Sequence, residues 1–333
     1  MTVKHQAPGR GSRWHRALQI LAICLFLCCL AADARQHRGG KPQDIPGGKE
    51  EKNVPVLKEE QVSVHIPGLK NHYTFIFMSD VHIIVENDEI SPDDLETVRA
   101  RREEFCSSDG RYASELWKDM PELFHSWDAD AVLLGGDMID FASTSNINCL
   151  KEGIDRIDVP VLYVRADHDY NPYHCEGLDK KEMKILHQSI DGYEGVSLLE
   201  FEDLCLVGLN NSTEQVSSRQ LKRIKEIFEI GKPIILLTHV PINSIVDASL
   251  SEQSKAVWQD RALVWGKGCY YEPNKNTDEF LELVYAEDSP VKAVMSGHLH
   301  FTWEGQLTQN CMQHVFSAMY PGSVGMITVN GEE

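Results

Sequence analysis

The sequence predicts an α/β architecture. Short apolar runs alternate along the chain with stretches of helical spacing. Five of those runs stop at an Asp or a His. The composition, 42% hydrophobic and 25% charged, is that of an ordinary globular protein and excludes collagen-like, disordered and multi-span membrane chains. At 333 residues, the chain can bury a sizeable core without disulfide or zinc staples.

Tyr73 to Met78 (YTFIFM) is apolar and aromatic and reads as a buried strand ending in Ser79-Asp80. Ala113 to Ser126 has helical spacing. Ala131 to Leu134 is a second strand, stopped by Gly135-Gly136-Asp137, and Val159 to Val164 a third, stopped by Arg165-Ala166-Asp167. Leu204 to Leu209 makes another strand, and Ser217 to Ile230 another helix. Pro233 to Leu237 ends in Thr238-His239, and Val291 to Met295 ends in Ser296-Gly297-His298. The segments near Phe301 to Gln306, Gln313 to Phe316 and Gly325 to Val329 read as antiparallel strands joined by turns.

The N-terminus has the pattern of an address. Lys4, Arg10, Arg13 and Arg16 precede an apolar run from Ala17 to Ala32, shorter than the roughly 20 residues a membrane span needs. Ala32-Asp33-Ala34 then fits a signal-peptidase site, so residues 1–34 read as a signal peptide, with an uncleaved anchor at 17–32 as the alternative. The corresponding locations are exported or membrane-anchored. Residues 35–60, rich in Gly, Pro, Lys and Glu, read as a flexible linker, and 61–333 as the folded domain. Losing residues 1–34 removes four basic residues and one acidic one, taking the net charge from −19 to −22. Such acidity argues against nucleic-acid binding and against anionic lipid surfaces, and suits a protein that collects cations. Six cysteines remain (Cys106, Cys149, Cys175, Cys205, Cys269, Cys311), none in a C-x-x-C pair. They permit up to three disulfides or stay as free buried thiols.

In open α/β sheets, sites form at the carboxyl ends of strands. Asp80, His82, Asp137, Asp167, His168, His239, His298 and His300 all fall there and should converge in one cleft. Imidazole and carboxylate suit Zn, Mn or Fe. Eight such side chains are too many for one tetrahedral ion and enough for two ions that share a carboxylate.

The order of these blocks, D-x-H, G-D-x-x-D, an H-D pair, a single His and G-H-x-H, resembles the calcineurin-like metallophosphoesterase family. Here the blocks are Asp80-Val81-His82, Gly136-Asp137-Met138-Ile139-Asp140, Asp167-His168-Asp169, His239 and Gly297-His298-Leu299-His300. The resemblance covers about residues 70–330. It implies a four-layer α/β/β/α sandwich with two packed mixed sheets, and a dinuclear centre of two divalent or transition-metal ions. It also implies that Asp80, His82, Asp137 and His300 hold one ion, that Asp137 bridges, and that Asp167, His239 and His298 complete the second. His168 would sit over the substrate phosphate as the catalytic residue. The implied activity is hydrolysis of a phosphomonoester or phosphodiester by metal-activated hydroxide, on a phosphorylated small molecule or lipid. A pyrophosphatase acting on nucleotide or lipid diphosphates, and a non-catalytic scaffold of the same fold, are the alternatives.

The chain departs from the family pattern at two places. Ala166-Asp167-His168-Asp169 stands where Gly-Asn-His-Asp or Gly-Asn-His-Glu is usual, so a carboxylate replaces a carboxamide and adds a negative charge. A surface Arg165 or a charge-offsetting Arg165 is expected beside it. Asp140 stands where purple acid phosphatases carry a metal-bound tyrosine, which argues against a tyrosinate-iron site. Asp169 either orients His168 or serves as a turn carboxylate. Trp265 to Tyr271, with Trp258, either forms an aromatic loop over the metals or packs in the core.

Overall fold

The computed structural model describes residues 56–175, 195–210 and 213–331, with Lys181, Lys184, Gln188 and Ile190 in between. The signal and anchor readings of residues 1–34, and the linker up to residue 55, lie outside the described residues.

Five strands form one sheet in the order β1-β11-β2-β3-β4: β1 Lys58–His65, β2 Tyr73–Met78, β3 Ala131–Leu134, β4 Val161–Tyr163 and β11 Ser323–Asn330. Six form the other in the order β5-β6-β7-β8-β10-β9: β5 Val196–Glu200, β6 Cys205–Leu209, β7 Ile234–Thr238, β8 Val291–Ser296, β9 Trp303–Thr308 and β10 Cys311–Val315. Both sheets are mixed. β2, β3 and β4 run parallel, as do β6, β7, β8 and β10.

Sequence explains why the two sheets stack. The central strands are buried along their whole length, which requires cover on both faces. Phe75, Phe77, Leu133, Leu206, Ile235, Leu237 and Met295 come from both sheets and form one apolar layer between them. The outer face of the first sheet is covered by α2 (Ala113–Ser126) and α3 (Thr144–Ile154), through Leu116, Trp117, Met120 and Leu150. The Trp117 indole donates to the Cys149 carbonyl at 3.1 Å, so its polar edge is satisfied although the ring is fully buried. On the second sheet α5 (Ser218–Phe228) and α7 (Lys275–Tyr285) do the same, through Leu221, Ile224, Phe280 and Val284. The Ser217 hydroxyl caps α5 by accepting from Gln220 N. The result is the four-layer α/β/β/α sandwich expected from the motif order. Among the described residues, no helix is long and apolar enough to cross a membrane.

Two sequence readings need correction, and the structure decides a third between its alternatives. β1 begins at Lys58, so the last residues of the expected linker are strand, and Glu60, Val62 and Val64 point inward. The final three strands are not one antiparallel group. β9 and β10 form an antiparallel pair, but β10 runs parallel to β8, and β11 crosses to the first sheet between β1 and β2. The six described cysteines are all free thiols, half-buried or buried.

Candidate metal centre

The parallel strands deliver their polar ends to one place. Asp80 follows β2, Asp137 follows β3, and Asp167 opens the single turn α4 (Asp167–Tyr170) after β4. His239 follows β7, and His298 and His300 follow β8. Within each sheet the strand ends are tied together directly. Asp80 N donates to Gly136 O at 2.9 Å, His82 N to Asp137 O at 3.0 Å, and Gly297 N to His239 O at 3.2 Å.

The backbone here is strained where the ligand types sit. Asp80, His82, Asp137, His298 and His300 have φ of 53°, 52°, 50°, 72° and 55°, the left-handed region that non-glycine residues rarely enter. Such conformations cost on the order of 1–3 kcal/mol each and persist where a site depends on them. Two glycines allow the packing. A Cβ at Gly136, itself at φ 93°, would come 2.8 Å from His239 Nδ1, and one at Gly297 would strike Ser79 and Asp80.

Donor atoms fall into groups whose members lie within 4.8 Å of one another: Asp80, His82 and His300; Asp137, His239 and His298; and Asp137, Asp167 and His168. His300 Nε2 lies 3.2 Å from Asp80 Oδ1. His239 Nε2 lies 3.1 Å from Asp137 Oδ2 and 3.9 Å from Asp80 Oδ1, so the groups adjoin. All the metal-ligand positions expected from sequence are therefore brought together, with His168 beside them.

Outer bonds decide which nitrogen each histidine presents. His82 Nδ1 pairs with Asp140 Oδ1 at 3.0 Å and His239 Nδ1 with the Gly135 carbonyl at 2.8 Å, which leaves each Nε2 facing inward. His298 pairs through Nε2 with the Tyr271 hydroxyl at 3.1 Å and turns Nδ1 inward, 3.2 Å from His239 Nε2. Three buried atoms in the cleft have no hydrogen-bond partner: Asp80 Oδ1, His82 Nε2 and Asp137 Oδ1. Orphaned buried acceptors of this kind cost on the order of 1–3 kcal/mol each unless a ligand satisfies them. Oxygen and imidazole donors left open in one cleft fit divalent cations such as Zn, Mn or Fe.

Charge leads to the same reading. Asp80, Asp137, Asp140 and Asp169 are buried together. Burial opposes ionisation of Asp80 and Asp137, yet His239 and the neighbouring imidazoles hold both well below the usual carboxylate range. Burial likewise opposes a charge on His168 and His239. Asp137 and Asp140, with Asp167, pull His168 up to about 9, and Asp137 and Asp80 pull His239 up to about 10. His298 moves the other way, to about 4, through burial and the charge on His239. The cleft calls for positive charge, which its histidines supply as protons and which cations would supply better.

Several roles differ from the sequence reading. Asp169 does not orient His168. Its carboxylate accepts from Ala166 N, Asp137 N and Ile139 N at 2.9, 2.9 and 3.1 Å, joining the loops after β3 and β4. Burial and Asp137 push it up to about 7. Asp140 is the residue the sequence undervalued. It grips His82, takes Arg101 Nε and Nη2 at 2.7 and 2.5 Å, and accepts from His168 Nδ1 through its carbonyl at 2.6 Å. Arg101 comes from α1 (Leu95–Glu104), and Phe105 just after it stacks on His82 at 4.2 Å. Arg165 is buried rather than on the surface. Trp265 is fully buried in the second core layer, Tyr270 is exposed, and Trp258 meets His300 edge-on at 5.9 Å. Of the expected aromatic loop, Tyr271 is the residue that bonds to a candidate ligand, His298.

A sequence profile described as calcineurin-like phosphoesterase matches residues 73–301, a span that contains every residue of these groups. The chain belongs to that family. Among solved structures, this metallophosphoesterase is similar to a dimetal phosphatase from Danio rerio, at 12% identity over 74% of this chain and 87% of that one, with a TM-score of 0.48. A purple acid phosphatase from yellow lupin seeds is similar at 14% identity over 80% and 45%, TM-score 0.41. Phosphopantetheinyl hydrolase from Mycobacterium tuberculosis is similar at 11% over 74% and 90%, TM-score 0.41. No curated protein matches the chain in sequence.

Proposed function

We propose that this metallophosphoesterase hydrolyses a phosphomonoester or phosphodiester at a dinuclear centre. Asp80, His82, Asp137 and His300 would hold the first ion, and Asp137, Asp167, His239 and His298 the second. The observation that carries this is two adjoining donor groups, Asp80–His82–His300 and Asp137–His239–His298, with His239 Nε2 3.9 Å from Asp80 Oδ1 and with buried oxygen and nitrogen atoms left unpaired in the cleft. Two divalent ions bound there neutralise phosphate oxygens and lower the pKa of water.

The protein's own residues do the rest. Asp140 and the Gly135 carbonyl fix the tautomers of His82 and His239, so that the ligand nitrogens point inward without a search over rotamers. The Asp140 carbonyl holds His168 Nδ1, which leaves Nε2 for the substrate. With its ring protonated, His168 can donate from Nε2 to the leaving oxygen. The substrate is a phosphorylated small molecule. Residues 1–34 direct the chain to export, with cleavage after Ala34 that N-terminal sequencing of secreted protein checks.

The test combines metal analysis with hydrolysis of p-nitrophenyl phosphate and its bis ester, using chain supplied with Mn, Zn or Fe. About two ions per chain and chelator-sensitive hydrolysis are expected. A chain that stays metal-free despite supplementation would support the scaffold alternative instead.

A further inference from the structure

The family pattern places a carboxamide where this chain has Asp167, and the structure holds that extra carboxylate in an unusual way. Tyr173 Oη donates to Asp167 Oδ2 at 2.5 Å. Asn171 Nδ2 donates to the Asp167 carbonyl at 2.9 Å and to Tyr173 Oη at 3.2 Å. The direction of this relay is fixed, because an amide NH₂ can only donate and a carboxylate can only accept. One oxygen of Asp167 is thereby engaged and its partner is left for the cleft. The Tyr173 ring also packs edge-on to His168 at 5.3 Å.

A second tyrosine does the matching task on the other sheet. Tyr271 sits at the end of the loop that Trp265 anchors in the core, bridged to that tryptophan. Its hydroxyl lies 3.1 Å from His298 Nε2 and its ring 5.5 Å from the imidazole. A histidine that bonds outward through Nε2 presents Nδ1 inward. The two hydroxyls thus reach the two ligands that approach the second ion from opposite sheets. On the first-ion side the corresponding grip on His82 is the charged Asp140–Arg101 pair.

We infer that Tyr173 and Tyr271 are positioning residues for the second metal ion, Tyr173 by locking the orientation of the carboxylate at Asp167 and Tyr271 by fixing the nitrogen that His298 presents. This rests on the dinuclear reading above. It gives the aromatic loop a role that the sequence alone did not define. It also explains how a carboxylate is accommodated at 167, because a donor from outside the ion's shell takes up part of its charge.

Cobalt(II) is a suitable probe, since its absorption reports the geometry of each site and its titration resolves successive binding steps. His300→Ala and His298→Ala first identify which step belongs to which ion. Tyr173→Phe and Tyr271→Phe should each weaken the step that His298→Ala abolishes, by about 10- to 100-fold, the usual effect of removing an outer partner of a metal ligand. Each should also alter the absorption band of that site and leave the His300-dependent step in place. Tyr285→Phe is the control, because it deletes a hydroxyl bonded to a backbone carbonyl, that of Asn243, at 2.7 Å. It should change neither step. If both tyrosine variants bind the second ion as wild type does, or weaken both steps equally, the inference is wrong. A wild-type chain that never binds a second ion overturns the dinuclear reading itself, and the tyrosine assignment with it.

Discussion

The two flanks of the centre are built from different chemistry. On the proposed first-ion flank, His82 lies between an ion pair of the buried Asp140 with the partly buried Arg101, and the stacked ring of Phe105. On the second-ion flank, Asp167, His239 and His298 are held by neutral groups: the Tyr173 hydroxyl, the Gly135 carbonyl and the Tyr271 hydroxyl. A buried charge pair fails abruptly, because removing one partner strands the other in a low dielectric. Neutral hydrogen bonds are graded, each contributing about 0.5–1.5 kcal/mol. The first flank should therefore break when altered, and the second should be tuned.

The largest effect is expected at Asp137, the residue proposed to be shared by both flanks. Asp137→Ala removes the carboxylate at which the donor groups meet, so metal content should fall for both ions and turnover should drop to background. Wild-type turnover and metal content in this variant would refute the shared-ligand assignment.

Next is Asp140, whose carboxylate grips His82 and Arg101 on the first flank. Asp140→Ala removes the charged hydrogen bonds that the buried carboxylate makes with the partly buried Arg101 and with His82, and should cost about 1.5–3 kcal/mol of stability, read by urea denaturation. Burial opposes the Asp140 charge, but Arg101 and His82 hold its pKa well below the usual value. A depressed carboxylate contributes stability that is complete above its unfolded pKa, about 3.9, and lost as pH falls through the folded value. The gap between wild type and variant should thus be widest near neutrality and narrow below about pH 4. A gap independent of pH would mean that the ion pair is not its source.

His168→Ala separates chemistry from structure. Its imidazole touches both flanks but is not assigned as a ligand, so turnover should fall about 10²- to 10⁴-fold while both ions stay bound. Loss of an ion in this variant would make His168 a ligand.

The contrast between flanks also marks how far the sequence could be read. Asp80, Asp137, His239 and His298 were legible because each follows an apolar run, and strand ends in parallel sheets converge. Arg101 was not, because it sits in Leu95–Glu104, a charged helix (LETVRARREE) in which nothing singles out the arginine that turns inward. Tyr173 falls in a loop with no periodicity at all. Trp265 and Tyr271 carry the same signal in sequence, yet one is core and the other meets a ligand, a choice set by tertiary packing. The segment Gly325 to Val329 could be read as a strand but its partners could not be named, since a strand's pattern is the same in either sheet. The charged start of β1 hid a strand whose inward face holds only Glu60, Val62 and Val64.

The smallest change tests the second flank at its most distinctive residue. Asp167→Asn restores the usual family side chain with little change in size. The new carboxamide oxygen can still accept from Tyr173, so the orientation of the side chain is kept and only the charge is removed. At an effective dielectric near 20, a unit charge about 4 Å away is worth about 4 kcal/mol before screening. Asp167 is half-buried and shares its charge with the Tyr173 hydroxyl, so a fraction of that remains, on the order of 1.4 kcal/mol or tenfold. The second ion should therefore bind about tenfold more weakly in Asp167→Asn, and vanadate, an anion that gains from the lost repulsion, about tenfold more tightly. The two shifts must have opposite signs, because the same charge attracts the cation and repels the anion. If titration finds both affinities unchanged, Asp167 does not face the second ion, and the flank is held by His239 and His298 without it.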